Sequence, residues 1–304
     1  MAGVINTGSF AKALWPGVKT WFGMEYKEHP PEYPKIFKKD TSDKAYEEMV
    51  ATSGTGLAPV KTETGSVSYD SMRQLYVNRA THVEYALGFI ISEVAIEDNQ
   101  YKQLAKQRSR SLAFSLRQTK ETVAANVLNR AFNSTYTGGD GLELCSTAHI
   151  TEGSTFANEL ATAADLSGAS LEQAVIDIAG FVNHRNLNIN VMPQALLVHR
   201  NNMFEAERIL KSALEYDTAN NAINALKSMN MFPKGIIVNH YLTDADAFFV
   251  LTDATDGMTF FQRRPLRLSP VENDYDTANA KFKADERYSF TWGDPRSIFG
   301  SPGA

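Results

Sequence analysis

The chain has 304 residues, 43% of them hydrophobic and 21% charged, with 30 Lys and Arg against 35 Asp and Glu for a formal charge of −5. A compact chain of this length buries about 75% of its unfolded surface and reads as roughly two domains with a core that needs no staples. The acidic balance argues against a protein that coats DNA with its whole surface, and 11% aromatic residues exclude a disordered composition. Cys145 is the only cysteine, so an intramolecular disulfide and Cys-rich zinc sites are excluded. The start, Met1-Ala2-Gly3-Val4-Ile5-Asn6, lacks the basic and apolar regions of a secretory signal, and no apolar run approaches the ~18 residues of a membrane span.

Phe10, Leu14, Val18 and Trp21/Phe22 recur at near-helical spacing, but Pro16 and Gly17 fall inside the series and predict an interruption. Pro30, Pro31 and Pro34 around Tyr33 bias the next stretch toward extended backbone. A segment this aromatic and proline-broken has too few local partners to fold alone. Phe10, Trp15, Trp21, Phe22 and Tyr33 are therefore expected to dock on another surface, in this chain or in a neighbouring copy. From Met49 to Gly65 the chain turns polar and glycine-rich, as in Thr52-Ser53-Gly54-Thr55-Gly56. Val83, Tyr85, Leu87, Phe89 and Ile91 then alternate as a strand with one buried face, while Val67, Tyr69, Leu75 and Val77 suggest a strand before it. Residues 47–92 read as one long β-hairpin with a flexible tip and little core of its own.

Asp98 and Asn99 offer a cap for a long helix over 99–133, about 50 Å at 1.5 Å per residue. Tyr101, Leu104/Ala105, Leu112, Leu116, Val123, Val127 and Ala131 form its apolar stripe. The helix also carries seven cations (Lys102, Lys106, Arg108, Arg110, Arg117, Lys120 and Arg130) against one anion, Glu121. Such a face is either solvated or turned toward an anion. Residues 138–168 are rich in Gly, Ser, Thr and Asn and read as a loop. A second helix starts at Ser170, where Ser170 and Gln173 have capping-box spacing, with Leu171, Ala174/Val175, Ile178 and Val182 as its apolar face. Short apolar runs at 195–198, 235–238 and 248–251, with helical stretches near 201–214 and 219–229, indicate a mixed α/β domain. In the last strand Phe282, Ala284, Tyr288, Phe290 and Trp292 share one parity and Lys281, Lys283, Asp285, Arg287 and Thr291 the other. Glu286 interrupts the apolar set, so the strand is expected to bulge or leave the core there.

The six histidines show no metal-ligand spacing. Cys145 and His149 are the only pair resembling nucleophilic catalysis, and the loop-like setting favours an incidental thiol. No phosphate-binding glycine loop is present. Asp253 and Asp256 before Gly257 fit a hairpin turn better than a calcium loop. Neither a catalytic residue nor a cofactor or metal site is expected. What remains is a docking arm, a projecting hairpin, an over-long helix and an α/β domain, the parts that copies of one chain supply to each other in an assembly.

This order of segments resembles the major capsid (head) protein of tailed bacteriophages, with the α+β Hong Kong 97-type fold. Strings similar to Mu-like head proteins are Gly56-Leu57-Ala58-Pro59-Val60, Glu84-Tyr85-Ala86-Leu87-Gly88-Phe89, Glu97-Asp98-Asn99-Gln100-Tyr101, Ser146-Thr147-Ala148-His149 and Tyr241-Leu242-Thr243-Asp244-Ala245-Asp246-Ala247. The tail carries the most specific ones, Phe260-Phe261-Gln262-Arg263-Arg264-Pro265 and Glu286-Arg287-Tyr288-Ser289-Phe290-Thr291-Trp292-Gly293-Asp294-Pro295-Arg296. The resemblance implies an N-arm at 1–46, an extended E-loop at 47–92, a peripheral (P) domain at 93–160 with the long helix as its spine, and an axial (A) domain at 161–255. Residues 256–304 would return to the P domain. It implies self-assembly into hexamers and pentamers of an icosahedral virion shell around double-stranded DNA, formed in the host cytoplasm. Its partners would be a portal, a scaffold and, in some members, decoration proteins, and no membrane. Lys102, Lys106, Arg110 and Arg117 would face DNA, and Phe10, Trp15, Trp21, Phe22, Tyr33 and Lys61 would meet neighbouring subunits. The resemblance implies a separate scaffold, because 304 residues leave no room for a cleaved scaffolding segment, unless this sequence is already the processed form. An encapsulin-like shell around protein cargo is the runner-up, and an enzyme built on Cys145 and His149 the third reading.

Overall fold

The structure, a computed structural model, describes residues 8–28, 30–92, 94, 101–215, 222–269, 272–273 and 279–304, with side chains for all of these except 8–15, 101–102 and 272–273. In chain order the first elements are helix α1 (Gly8–Lys27), strands β1 (Lys38–Thr41), β2 (Tyr46–Thr52), β3 (Gln74–Thr81) and β4 (Val83–Ile91), and the long helix α2 (Tyr101–Asn129). Next come β5 (His149–Thr151), β6 (Ser154–Phe156), α3 (Gly168–Ala179), β7 (Pro193–His199), α4 (Met203–Lys211) and α5 (Ala225–Ser228). The chain closes with β8 (Ile236–Asn239), β9 (Phe248–Thr252), β10 (Met258–Leu268), β11 (Glu272–Asn273), β12 (Ala280–Trp292) and β13 (Ile298–Ser301).

Helix α1 runs through Pro16 and Gly17 without the expected interruption. An interior proline costs about 3 kcal/mol. Val18 and Phe22, a turn further on, are buried against Ala105, Leu112, Ala113 and Leu116 of α2, and burying each is worth about 1.5–3 kcal/mol. Packing overrides the breaker. The two helices run in the same direction: Ser109 Oγ donates to the Val18 carbonyl at 3.0 Å, and Arg117 Nη1 to the Glu25 carbonyl at 3.2 Å. Helix α2 has 29 residues and stops at Asn129, short of the expected 133. Its expected cap, Asp98 and Asn99, lies outside the described residues.

Both helices cover one face of a five-stranded sheet centred on β12. β10 pairs antiparallel along one side of β12 and β4 along the other; β1 lies parallel to β10, and β11 extends the sheet beside the start of β12. The parity expected for the last strand holds for Ala280, Phe282, Ala284 and Tyr288, buried on the helix side, but Asp285 and Thr291 of the other parity are buried too, and Phe290 and Trp292 are only half-buried. Glu286 neither bulges nor leaves. Its register with β4 is unbroken from Ala280↔Ile91 to Tyr288↔Val83, and the irregularities fall in β10, beyond Gln262 and Arg264.

The hairpin differs from expectation. β2 pairs with β3, so the hairpin spans residues 46–81 and β4 is not its second leg. The alternation of β4 places Phe89 and Ile91 against the helices, a core that a free hairpin lacks. His82 is the single residue between the end of β3 and the start of β4.

A second, four-stranded sheet has the order β13-β9-β7-β8, with β7 and β8 parallel. In β7, Ala195 and Leu197 pack toward α2, and Leu196 and Val198 toward α3, α4 and α5, which is why this run is apolar throughout. β13 pairs with β9, so residues 298–301 end in this second sheet and not with β12. The cap of α3 is Ser167, three residues before the expected one. Its hydroxyl accepts from Ser170 N at 3.1 Å while Ser170 Oγ accepts from Ser167 N at 2.9 Å. Asp253 and Asp256 lie where the chain crosses from β9 to β10, strands of different sheets, so the expected hairpin turn is a crossover.

Candidate functional site

Between β2 and β3, residues 53–73 form no strand, and Leu57, Val60 and Tyr69 stand 81%, 98% and 92% exposed. A projection this apolar has no core to bury it. Its two legs are nevertheless fastened to each other. Ser53 N donates to the Arg73 carbonyl at 2.9 Å, and Asp70 accepts from Gly56 N at 2.7 Å and Ser71 N at 2.8 Å. These two amides, with smaller help from Arg185, hold the Asp70 carboxyl below the usual carboxylate range. Lys61 is exposed on the same tip.

At the root the hairpin is pressed against the body. A Cβ on Gly139 would come within 2.5 Å of the Val77 carbonyl oxygen, so only glycine lets the two backbones meet. Asn78 Nδ2 donates to the Trp292 carbonyl. The buried His82 ring sits 2.9 Å from the hydroxyls of both Ser42 and Ser289.

The basic face of α2 is smaller than its sequence implies. Arg117 is buried, reaching the Glu25 carbonyl and lying 5.5 Å from the Phe114 ring centre, so it is corrected from a DNA-facing residue to a tie between α1 and α2. Lys120 is buried too, ion-paired with Glu286 and donating to the Tyr26 hydroxyl at 2.9 Å. Lys106, Arg108 and Arg110 remain exposed, Arg110 with Glu25 at 3.7 Å. The side chain of Lys102 lies outside the described residues.

The N-terminal aromatics dock on their own chain. Phe22 is buried beneath α1, and Trp21 packs beside Val18, Ala105 and Phe282. The Tyr33 ring lies 5.1 Å from that of Phe260 and 5.5 Å from that of Phe290. Within the subunit all three pack on their own chain; the side chains of Phe10 and Trp15 lie outside the described residues. Sequence reasoning missed Arg185, which meets the hairpin tip. Asp70 lies 115 positions away, and no local pattern links the two.

Cys145 and His149 do not form a catalytic pair. Cys145 is buried, and burial pushes its thiol well up, away from the reactive thiolate. His149 is committed to Asp140 at 2.7 Å and Asn158 at 3.1 Å, its ring stacked on Phe156. Among the described residues no group of three or more His, Cys, Asp or Glu is placed to hold a metal, and no helix is long and apolar enough to cross a membrane.

A helix-backed sheet, a second sheet fused to it by α2, and a coreless projecting hairpin define a subunit shaped to meet other subunits. The phage capsid protein family matches residues 76–300, and the chain belongs to that family. It is a structural, major capsid protein of the virion head. No curated protein matches it. Among solved structures it is similar to the virus-like particle from Pyrococcus furiosus, at 11% identity over 93% of this chain and 97% of that one with a TM-score of 0.51. It is similar to a chain of Mycobacterium phage Che8 at 12% identity over 90% and 93% with a TM-score of 0.52. The capsid of an empty GTA particle matches at 11% identity over 90% and 89%, also with a TM-score of 0.52. At such identities the likeness establishes the fold, of the Hong Kong 97 type.

Proposed function

We propose that this chain self-assembles into hexamers and pentamers of an icosahedral head that encloses double-stranded DNA. The observation that carries this reading is the hairpin tip, whose Leu57, Val60 and Tyr69 are bare in the single subunit. A neighbouring copy is the surface that buries them, since an apolar projection repeated on every subunit meets the same acceptor on every neighbour. Lys61 on that tip is then a contact residue. The α/β part around the second sheet forms the axial domain, and the helix-backed sheet the peripheral one. Lys106 and Arg110 face the packaged phosphate through contacts that weaken as salt rises. The role is structural, with no catalytic step. Assembly takes place in the host cytoplasm with a scaffold and a portal as partners, and decoration proteins where the lattice is reinforced.

Electron microscopy of the full-length protein, with nuclease-resistant nucleic acid measured in the same particles, tests this. Closed shells that retain DNA when assembled with the packaging components support it, and a Lys106→Gln/Arg110→Gln variant retains less DNA per shell at equal shell yield. Shells filled with protein cargo would favour the encapsulin-like reading. Discrete small oligomers at every concentration would refute both.

A further inference from the structure

Among the described residues, Arg185 is the side chain that fastens the hairpin tip to the body of its own subunit. This residue sits in a tight turn after α3, held by the bridge between Val182 and Asn188 and by Asn183 Oδ1, which accepts from Arg185 N at 2.8 Å and Leu187 N at 2.9 Å. Asn186 secures the turn to the small β5–β6 hairpin, accepting from Thr151 Oγ1 at 2.7 Å and donating through Nδ2 to the Glu152 carbonyl at 2.6 Å. From this rigid base the Arg185 side chain, 21% exposed, donates through Nη2 to the Ser71 carbonyl at 2.7 Å and lies 3.4 Å from Asp70 Oδ1, while its Nε is 3.3 Å from Glu152 Oε2. Asp70 is the group that joins both legs of the tip. One guanidinium therefore ties the junction of the two legs to the fixed part of the molecule.

We infer that Arg185 is a positioning residue for assembly: it holds the hairpin tip in the orientation in which a neighbouring copy receives it. The inference rests on the shell-forming role proposed above. With Arg185 in place Leu57, Val60 and Tyr69 still face solvent, so the contact presents the sticky surface and does not hide it. That separates positioning from autoinhibition. A 53–73 segment without strand pairing loses conformational entropy on docking, and each residue ordered beforehand removes about 1–2 kcal/mol from that cost. A single exposed ion pair contributes little. Here a mostly buried guanidinium donates to the Ser71 carbonyl and to Asp70 and has Glu152 within ion-pair distance, and hydrogen bonds that involve a charged group are the stronger kind.

The test uses the full chain and two readouts. Hydrogen exchange on unassembled subunits reports protection of the Gly56 and Ser71 amides, and light scattering gives the subunit concentration at which shells appear. Arg185→Gln is expected to lose tip protection and to raise the threshold concentration roughly tenfold, the loss of about one charge-assisted hydrogen bond. Arg185→Lys, which keeps the charge, restores part of both. Asp70→Ala removes the same contact from the exposed tip together with the acceptor of the Gly56 and Ser71 amides, so for it the threshold concentration alone is read, and a folding defect at the Arg185 turn does not decide the result. Unchanged protection, or lost protection with an unchanged threshold, overturns the inference while wild-type shells leave the assembly reading standing. Wild-type protein that never forms shells overturns both.

Discussion

Lys120 and Glu286 meet between the helices and the five-stranded sheet, one from α2 and one from β12, with Tyr26 of α1 closing over them. Burial pushes the Glu286 carboxyl above its ordinary value, and the Lys120 ammonium opposes that. For Lys120 burial works against the charge, but Glu286 and Tyr26 outweigh it and its pKa stands above the usual lysine value. Desolvation of a buried pair consumes much of the attraction, so the pair is weak evidence of net stability, while either half alone is expensive. Lys120→Met strands the carboxylate and is expected to destabilise the subunit by about 3–5 kcal/mol. Lys120→Met/Glu286→Leu, which removes both charges, is expected to recover most of that loss. Denaturant unfolding of the three proteins below their assembly threshold gives the values. A double variant as unstable as the single one would mean that the charges serve the fold in themselves.

Among the elements, α1 carries the largest consequence. With Val18 and Phe22 seated on α2, it belongs to the subunit core and is more than an arm awaiting a neighbour. Deleting residues 1–28 strips Ala105, Leu112, Ala113 and Leu116 and opens the Lys120–Glu286 pair to water. The melting temperature of the unassembled subunit is expected to fall by about 5 °C or more, from two lost side-chain burials. Differential scanning calorimetry on both lengths checks this, and an unchanged midpoint would return α1 to a contact made only between copies. The sequence pattern showed α2 and the strands near 195–198, 235–238 and 248–251, because a helical period or an unbroken apolar run is local information. It misjudged α1, since the rule that proline breaks helices is local and the packing that overrides it is not. Alternation at 83–91 marked a buried face without naming its cover, so β4 was joined to the wrong partner. The basic residues of α2 were visible, but charge count does not reveal that Arg117 and Lys120 point into the core.

Across the whole molecule, the hairpin reaches the body through its tip at Arg185, its root at Gly139 and Asn78, and its junction with the sheet at His82. Of these residues only His82 titrates near neutrality, and a second histidine, His184, lies edge-on to the Tyr76 ring of the root at 5.7 Å. The His82 ring is flanked by hydroxyls of Ser42 before β2 and Ser289 in β12, and burial, reinforced by Arg287, pushes its pKa below the ordinary value, with Glu47 opposing. A histidine with a lowered folded pKa favours the fold as the neutral ring. That contribution is fully present above its unfolded pKa, about 6.5, and is lost as pH falls through the folded one. Burial also lowers His184 and His199, and raises the Glu121, Glu159 and Glu286 carboxyls, whose own contribution runs the opposite way. The clean observable is therefore a difference. His82→Gln keeps two hydrogen-bonding atoms and cannot charge, so the background of other groups cancels between it and the wild type. Wild type minus His82→Gln stability is expected to shrink as pH is lowered from 8 to 5, with hydrogen exchange at the β3–β4 junction rising over the same range. A difference independent of pH would show that the His82 proton does not govern this joint.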